Sequence, residues 1–203
     1  MYVPAHFTES DPAVIERLIR ENGFGLLVSG GGDATIATHL PLTYHPEIGA
    51  QGVLRGHVAR ANRQWRDFEP SGPALAIFSG PHAYISPRWY QPGPSVPTWN
   101  YEAVHVYGNA RALEGEAALR PILQTLSAQY DSAWSMADLP DDYITKMTRA
   151  IVGIEIEITR IEAKRKLSQN RPAADIAGVI AALEANGGET DRALAAAMRQ
   201  ATA

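Results

Sequence analysis

The chain has 203 residues, of which 45% are hydrophobic and 20% charged, and its formal net charge is −4. This size and composition fit one globular domain with a substantial core. The mildly acidic balance argues against a strong nucleic-acid binder, and the absence of cysteine excludes disulfides and cysteine-ligated metal sites.

The N-terminus, MYVPAHFTESDP, has neither the basic nor the apolar segment of an export signal. No run of about 18 apolar residues, the length that spans a bilayer, occurs in the chain. We therefore expect a cytoplasmic protein that does not enter a membrane.

The first half of the chain predicts one helix followed by strands. Asp11-Pro12 has the residue types of a helix start. Strands are predicted over 24–29, 34–44, 53–58 and 73–79. The glycines of 30–33 predict a hairpin turn, because they lead into a strand and not into the helix that follows a phosphate-binding loop.

Residues 81–97 contain five prolines together with Tyr84, Trp89 and Tyr90, which predicts a long loop. Its aromatic residues favour a lid or a partner surface, and the alternative is a surface loop that its aromatics hold in place. The next segment, 96–108, predicts a strand with mixed faces. Either it has protein on both sides and polar groups facing a site, or it is a core strand with satisfied polar groups.

The second half predicts helices near 119–126 and 144–151, then a strand in IVGIEIEITRIEAKRKL whose alternation slips at Arg160-Ile161. Pro172 opens a helix that ends at Gly187-Gly188. Since helices and strands do not alternate, we predict a mainly β protein with flanking helices, of the α+β class, built on an antiparallel sheet or barrel. The domain is expected over 1–186, with a C-terminal helical tail over 187–203.

Polar residues gather near predicted strand ends in three sets, and no histidine pair has metal-ligand spacing. The sets are Thr38 and His39; Arg55, His57, Arg60 and Asn62; and Lys166, Ser168, Gln169, Asn170 and Arg171. Cations and hydroxyls bind phosphate, amides bind a ring edge, and Trp99 or Trp89 would cover a ring face. The alternative is a solvated charge cluster at strand ends.

Six segments resemble the family of FMN-binding negative transcriptional regulators of the PaiB type. They are MYVPAHF, GHVARAN, AYISPRWY, VPTWNY, IVGIEIEITRIE and KLSQNRP, in the family's order from Met1 to about Leu183. The resemblance implies an FMN-binding antiparallel split β-barrel, similar to pyridoxamine-phosphate oxidase, that forms a homodimer with the flavin at the interface. Gln64 departs from the family's pattern.

The resemblance also implies roles for particular residues, while no catalytic residue is assigned. The phosphate ligands would be His57, Arg60 and Asn62, with Thr38 and His39 near the flavin on the adjacent strand. The residues approaching the ring would be Thr98, Trp99 and Asn100. Lys166, Ser168 and Gln169 would reach the site from late in the chain, from the same or the other subunit.

Three functional classes remain open beyond FMN binding. They are a flavin-binding regulator, a flavin-dependent oxidoreductase acting on a small molecule, and a haem-binding relative with His39 or His57 as ligand. Direct DNA binding has weak support, because residues 172–203 contain four acidic and two basic side chains.

Overall fold

The computed structural model describes residues 1–30, 35–68 and 72–201. The helices are α1 (Pro12–Glu21), α2 (Glu116–Tyr130), α3 (Asp141–Thr148), α4 (Ala173–Asn186) and α5 (Glu189–Gln200). The strands are β1 (Thr8–Glu9), β2 (Phe24–Ser29), β3 (Ile36–His45), β4 (Val53–Ala59), β5 (Gly72–Ile85), β6 (Thr98–Leu113) and β7 (Ile151–Lys166). Short 3-10 helices lie at Ala5–Phe7, Arg63–Phe68, Pro87–Trp89 and Met136–Asp138.

The strands are ordered β1-β7-β4-β3-β2-β5-β6, and β7 also pairs with β6, so that the strands from β2 to β7 close a barrel. The β2–β3, β3–β4 and β4–β7 pairs are antiparallel. This confirms the predicted antiparallel split barrel with flanking helices.

The chain divides into two compact units, which we call the barrel unit and the terminal unit. The barrel unit comprises Ile19–Phe78 and His105–Ile161. The terminal unit comprises Met1–Leu18, Ser79–Val104 and Glu162–Ala203. The predicted boundary between a domain over 1–186 and a tail over 187–203 stays a prediction.

In the barrel unit, α2 covers one face of the sheet where β4 and β7 pair. His57 lies directly opposite Gly153 in that pair. A Cβ at Gly153 would lie 3.1 Å from side-chain atoms of Leu119 and Ile122, both buried residues of α2. The glycine therefore lets the helix pack closely on the strand, and the side chain of His57 points to the same face.

In the terminal unit, α4 and α5 pack together in one apolar core. Their buried side chains meet Ile85 from β5, Tyr90, and Leu167, the residue that follows β7. Helix α4 ends at Gly187, whose φ of 73° is the left-handed conformation that glycine adopts readily at a helix C-terminus.

Two of the predicted elements differ in extent from the structure. Strand β5 continues through Pro81 to Ile85, so the predicted loop over 81–97 begins too early. Proline has no N–H donor, and a strand tolerates it at a position where no backbone N–H is required for pairing. Ile151 begins β7 and does not belong to the preceding helix. The turn predicted over 30–33 lies largely outside the described residues.

Strand β6 has a clear inside and outside in spite of its mixed composition. Asn100 and Glu102 are buried on the same face as Val104 and Val106. The alternate residues, from Trp99 to Tyr107, are exposed or half-buried. The strand thus presents aromatic rings outward and encloses polar groups.

Candidate functional site

The ammonium of Lys166 joins the end of β7 to the start of β6 in the terminal unit. Its Nζ donates to the Thr98 hydroxyl at 2.6 Å and to the Trp99 carbonyl oxygen at 2.5 Å. The ring of Phe7 lies 5.9 Å from the same atom. An ammonium has three N–H donors. Among the described residues these bonds leave one donor for a ligand.

The charge of Lys166 is easier to remove than that of an ordinary lysine. Burial lowers the pKa of its ammonium, and the nearby charges of Lys164 and Arg171 lower it further. An anion bound beside Lys166 would oppose these effects, because an opposite charge favours the protonated form. The site is therefore suited to a negatively charged ligand.

An exposed aromatic group surrounds the side chain of Trp99, the residue whose carbonyl oxygen accepts from Lys166. Trp99 is 55% exposed, and the ring of Tyr84 meets its ring edge-on at 6.2 Å between centroids. The imidazole of His82 lies 6.4 Å from the Trp99 ring at a tilted angle. Large aromatic faces of this kind stack on planar ligands.

Asn100 and Gln169 make hydrogen bonds around the segment that follows β7, and the Oδ1 of Asn100 has no hydrogen-bond partner among the described residues. The Asn100 side chain is fully buried, and its amide donates to the Ser168 hydroxyl at 2.8 Å. The side-chain oxygen of Gln169 accepts from the Leu167 backbone N–H at 2.8 Å. The side-chain amide of Gln169 donates to the Arg165 backbone carbonyl oxygen at 2.5 Å. Both residues fix the turn that follows β7.

Arg165 is a buried cation that the sequence analysis did not single out. Its Nε donates to Glu102 at 2.5 Å, and its guanidinium lies 3.4 Å from the Glu9 carboxylate. All three groups are in the terminal unit. The pairing explains how β6 encloses a glutamate, since a buried charge requires a partner.

A second polar group lies in the barrel unit, around the segment that follows β4. The Asn62 amide donates to the Thr38 hydroxyl at 2.9 Å, and the Asn62 side-chain oxygen accepts from the Gln64 N–H at 3.0 Å. Gln64 is fully buried and donates to the carbonyl oxygens of Leu27 and Ile36. Gln64 thus links β2 and β3 through its side-chain amide. It is the residue at which the sequence departs from the pattern of the family it resembles.

Arg60 lies in the same unit, and three groups accept hydrogen bonds from it. Its guanidinium donates to Glu114 at 2.6 Å and to the carbonyl oxygens of Arg149 and Ile151. Arg60 and Glu114 are both substantially exposed, so their ion pair contributes little to stability. A cavity of about 280 Å³ adjoins it, lined by Arg60, Gly115, Glu116, Thr145, Thr148 and Arg149.

The two remaining candidates have different surroundings. His57 is partly buried under α2, its Nδ1 has no hydrogen-bond partner among the described residues, and burial lowers its pKa. Its imidazole is therefore neutral near pH 7, which does not favour a phosphate. His39 is exposed and stacks on Phe24 with 5.9 Å between ring centroids.

The predicted site residues thus fall into two groups, each within one unit. The terminal unit holds Thr98, Trp99, Asn100, Lys166, Ser168 and Gln169, and the barrel unit holds Thr38, His39, His57, Arg60 and Asn62. His82 and Tyr84 beside Trp99 were not predicted as site residues. The predicted strand ended at residue 79, whereas β5 continues to Ile85. Strand alternation over the longer strand places His82 and Tyr84 on one face.

No group of three or more histidine, aspartate or glutamate side chains in the described ranges could hold a metal ion. Within the same ranges, no helix combines the length and apolarity that a membrane span requires.

Comparison with known proteins adds a family and a fold. Residues 1–160 match a family described as "Putative FMN-binding domain". The chain is 38% identical over 187 residues to the "Protease synthase and sporulation protein PAI 2" of Bacillus subtilis, covering 91% of this chain and 89% of that protein.

Two solved structures share the fold at low sequence identity. The FAD and heme binding protein from Mycobacterium smegmatis aligns with a TM-score of 0.62 at 13% identity, over 89% of this chain and 80% of that one. The flavocytochrome Anf3 from Azotobacter vinelandii aligns with a TM-score of 0.62 at 12% identity, over 87% and 78%. At these identities the likeness concerns the fold alone.

Proposed function

Because this chain belongs to the FMN-binding family that includes the PaiB-type proteins, we propose that the residues around Lys166 and Trp99 bind the flavin and that this flavin is FMN. The family match confirms the family resemblance of the chain. The assignment of residues and the choice between FMN and FAD are our proposals.

One observation carries the residue assignment. In the terminal unit, a partly buried ammonium with an available N–H donates to the Trp99 backbone carbonyl oxygen, and the Trp99 ring is exposed. The isoalloxazine ring needs an apolar face to stack on and a donor at its electron-poor pyrimidine edge, where negative charge gathers on reduction. Trp99 would supply the face, and Lys166 would supply the donor.

The preference for FMN rests on the phosphate ligands. FAD carries a pyrophosphate, and the chain has no glycine-rich dinucleotide motif. Arg60, together with the hydrogen-bonded pair Thr38 and Asn62, is the set we propose for a single terminal phosphate. We propose a smaller part for His57, since its imidazole is neutral and covered by α2.

The cofactor is identified by releasing it from the purified protein. Mass spectrometry should find FMN, and the intact protein should show a flavin absorbance spectrum. Release of FAD would overturn the preference for FMN. A Soret band without flavin would overturn flavin binding by this chain and would support the haem alternative.

We also propose that the protein is a homodimer with the flavin at the interface. The exposed Trp99 and Tyr84 are residue types enriched in interface cores, and closed two-fold dimers are the commonest oligomers. Sedimentation equilibrium of the flavin-loaded protein should give the mass of two chains. A single-chain mass with flavin still bound would contradict this proposal.

A role in transcription follows from the family resemblance, and we propose that any such role does not use α4 and α5 to contact DNA. Arg199 is paired with Glu184, and Arg192 donates to the Gly187 carbonyl oxygen. The two helices together carry four acidic and two basic side chains, so their net charge is negative and does not favour phosphates. Salt-independent, weak binding of random duplex DNA is expected. A steep loss of tight binding with added salt would contradict this view.

A further inference from the structure

A second cavity lies in the barrel unit at the end of α2. None of the candidate flavin-binding residues lines it. Its volume is about 360 Å³, within the range of small-molecule sites. Its lining consists of Pro41, Leu126, Ser127, Tyr130, Asp131 and Trp134. The lining is mainly apolar, so an occupant must bury apolar surface.

Two aromatic side chains of this cavity are open to solvent. Tyr130 is 57% exposed and Trp134 is 45% exposed, so both present aromatic surface to solvent. Tyr130 ends α2, and the Trp134 N–H donates to the Asp131 carbonyl oxygen at 3.3 Å. The local turn thus holds the two aromatic residues on the same cavity.

The charge at this position is negative. Asp131 is the one charged residue in the lining, and its Oδ1 accepts from the Ala133 N–H at 3.1 Å. Its second carboxylate oxygen is therefore available to a ligand. The C-terminal end of α2 adds a partial negative charge, and no basic residue of the last turn compensates it.

We propose that this cavity binds a small organic ammonium ion with apolar substituents. The faces of tyrosine and tryptophan attract such cations, and the carboxylate and helix terminus supply the counter-charge. The apolar substituents would pack against Leu126 and Pro41. An anion is excluded by the same charges, and a neutral apolar ligand would forgo the electrostatic part of the attraction. The proposal does not depend on the flavin.

The test compares two ligands of equal shape and different charge. Choline and its neutral isostere 3,3-dimethylbutan-1-ol are titrated into the flavin-loaded protein by isothermal calorimetry. Choline should bind about tenfold or more tightly than the isostere, the factor expected for cation–π attraction with a nearby carboxylate. Equal affinities, or no choline binding, would overturn the proposal.

Two variants locate the site. Asp131→Asn keeps the oxygen that caps the turn but removes the charge, and it should weaken choline binding about tenfold. Trp134→Ala should weaken it by a similar factor, with thermal unfolding measured to show that the fold is intact. Tyr143→Ala, a change at an exposed aromatic residue of α3 outside the lining, is the matched control and should leave binding unchanged. Choline affinity that is unaltered in Asp131→Asn would place any binding elsewhere and refute the assignment.

Discussion

The amide of Asn100 donates a hydrogen bond of 2.8 Å to the hydroxyl of Ser168, and both side chains are buried. Ser168 has a φ of 68°, and it is the one non-glycine residue with positive φ in the described part of the chain. Backbone strain of this kind persists only where the surroundings enforce it. The Asn100 contact is one such restraint, two residues from Lys166.

Two replacements of Ser168 should therefore distinguish the contribution of the hydrogen bond to stability from that of the backbone conformation. Ser168→Val places a β-branched residue at positive φ and should lower the free energy of unfolding by about 1–3 kcal/mol. Ser168→Gly loses the hydrogen bond, worth about 0.5–1.5 kcal/mol, but relieves the backbone and should cost less. Urea unfolding measures the stability of both variants. Equal stability of the valine and glycine variants would contradict the proposed backbone strain at Ser168.

Lys166→Met should weaken FMN binding by about 1.5–3 kcal/mol, the contribution of a charge-assisted hydrogen bond. Flavin fluorescence titration measures the affinity, and circular dichroism should remain native. The control is Lys146→Met, at an exposed lysine of α3, which should bind FMN as the parent protein does. An equal loss in both variants would point to non-specific electrostatics and not to Lys166.

The affinity for FMN should fall at alkaline pH. The pKa of Lys166 is lowered by burial and by Lys164 and Arg171, so its charge is lost on raising the pH before that of an ordinary lysine. The proton is needed for the hydrogen bond to the ligand, and affinity therefore decreases as pH rises through this pKa. Lys166→Arg stays charged and should bind FMN without the alkaline decrease. Parallel profiles for the two proteins would assign the decrease to another group.

Arg60→Ala should weaken FMN binding by about 1.5–3 kcal/mol if the guanidinium binds the phosphate. Glu114→Gln removes the carboxylate that now pairs with it and should leave the affinity equal or slightly higher. The pair of variants separates ligand binding from local structure. A loss in Glu114→Gln as large as that in Arg60→Ala would show that the ion pair matters and the phosphate contact does not.

Glu155 should contribute to stability in a pH-dependent way. Burial alone would raise its pKa, but hydrogen bonds from Arg111 and Arg55 outweigh this, and the pKa lies below its ordinary value. A carboxylate with a lowered pKa stabilises the fold above its unfolded pKa, and this contribution is lost as pH falls through the folded pKa.

Glu155→Gln should therefore lower the free energy of unfolding by about 1–3 kcal/mol at pH 7. The difference should be smaller in acid, because the parent protein has lost the same contribution there. Glu157→Gln, an exposed position on the same strand, should stay within about 0.5 kcal/mol of the parent. Urea unfolding as a function of pH tests both. A constant difference between Glu155→Gln and the parent at every pH would exclude the ion-pair explanation.

Local signals in the sequence predicted much of the fold. The predicted strand over 24–29 coincides with β2, and Asp11 caps α1 by accepting from the Ala13 N–H at 2.9 Å. These features depend on neighbouring residues, which a single sequence displays. The family segments supplied the barrel topology, which local patterns did not determine beyond an antiparallel sheet.

Long-range pairing could not be predicted in the same way. Glu102 is enclosed because Arg165, distant in sequence, meets it in the terminal unit. Likewise, the contact between Thr98 and Lys166 depends on how the start of β6 meets the end of β7. Residue types suggested that both belong to a site. Only the pairing of the two segments shows that they share a hydrogen bond.

The terminal unit is assembled from three separate stretches of chain, Met1–Leu18, Ser79–Val104 and Glu162–Ala203. Ile85 and Tyr90, buried in the finished fold in one core with α4 and α5, are translated before the stretch Glu162–Ala203. Until then their apolar surfaces have no complete core to enter, and a nascent chain stopped near residue 160 exposes them to aggregation. Completion of this unit therefore requires all three stretches and follows the synthesis of Glu162–Ala203.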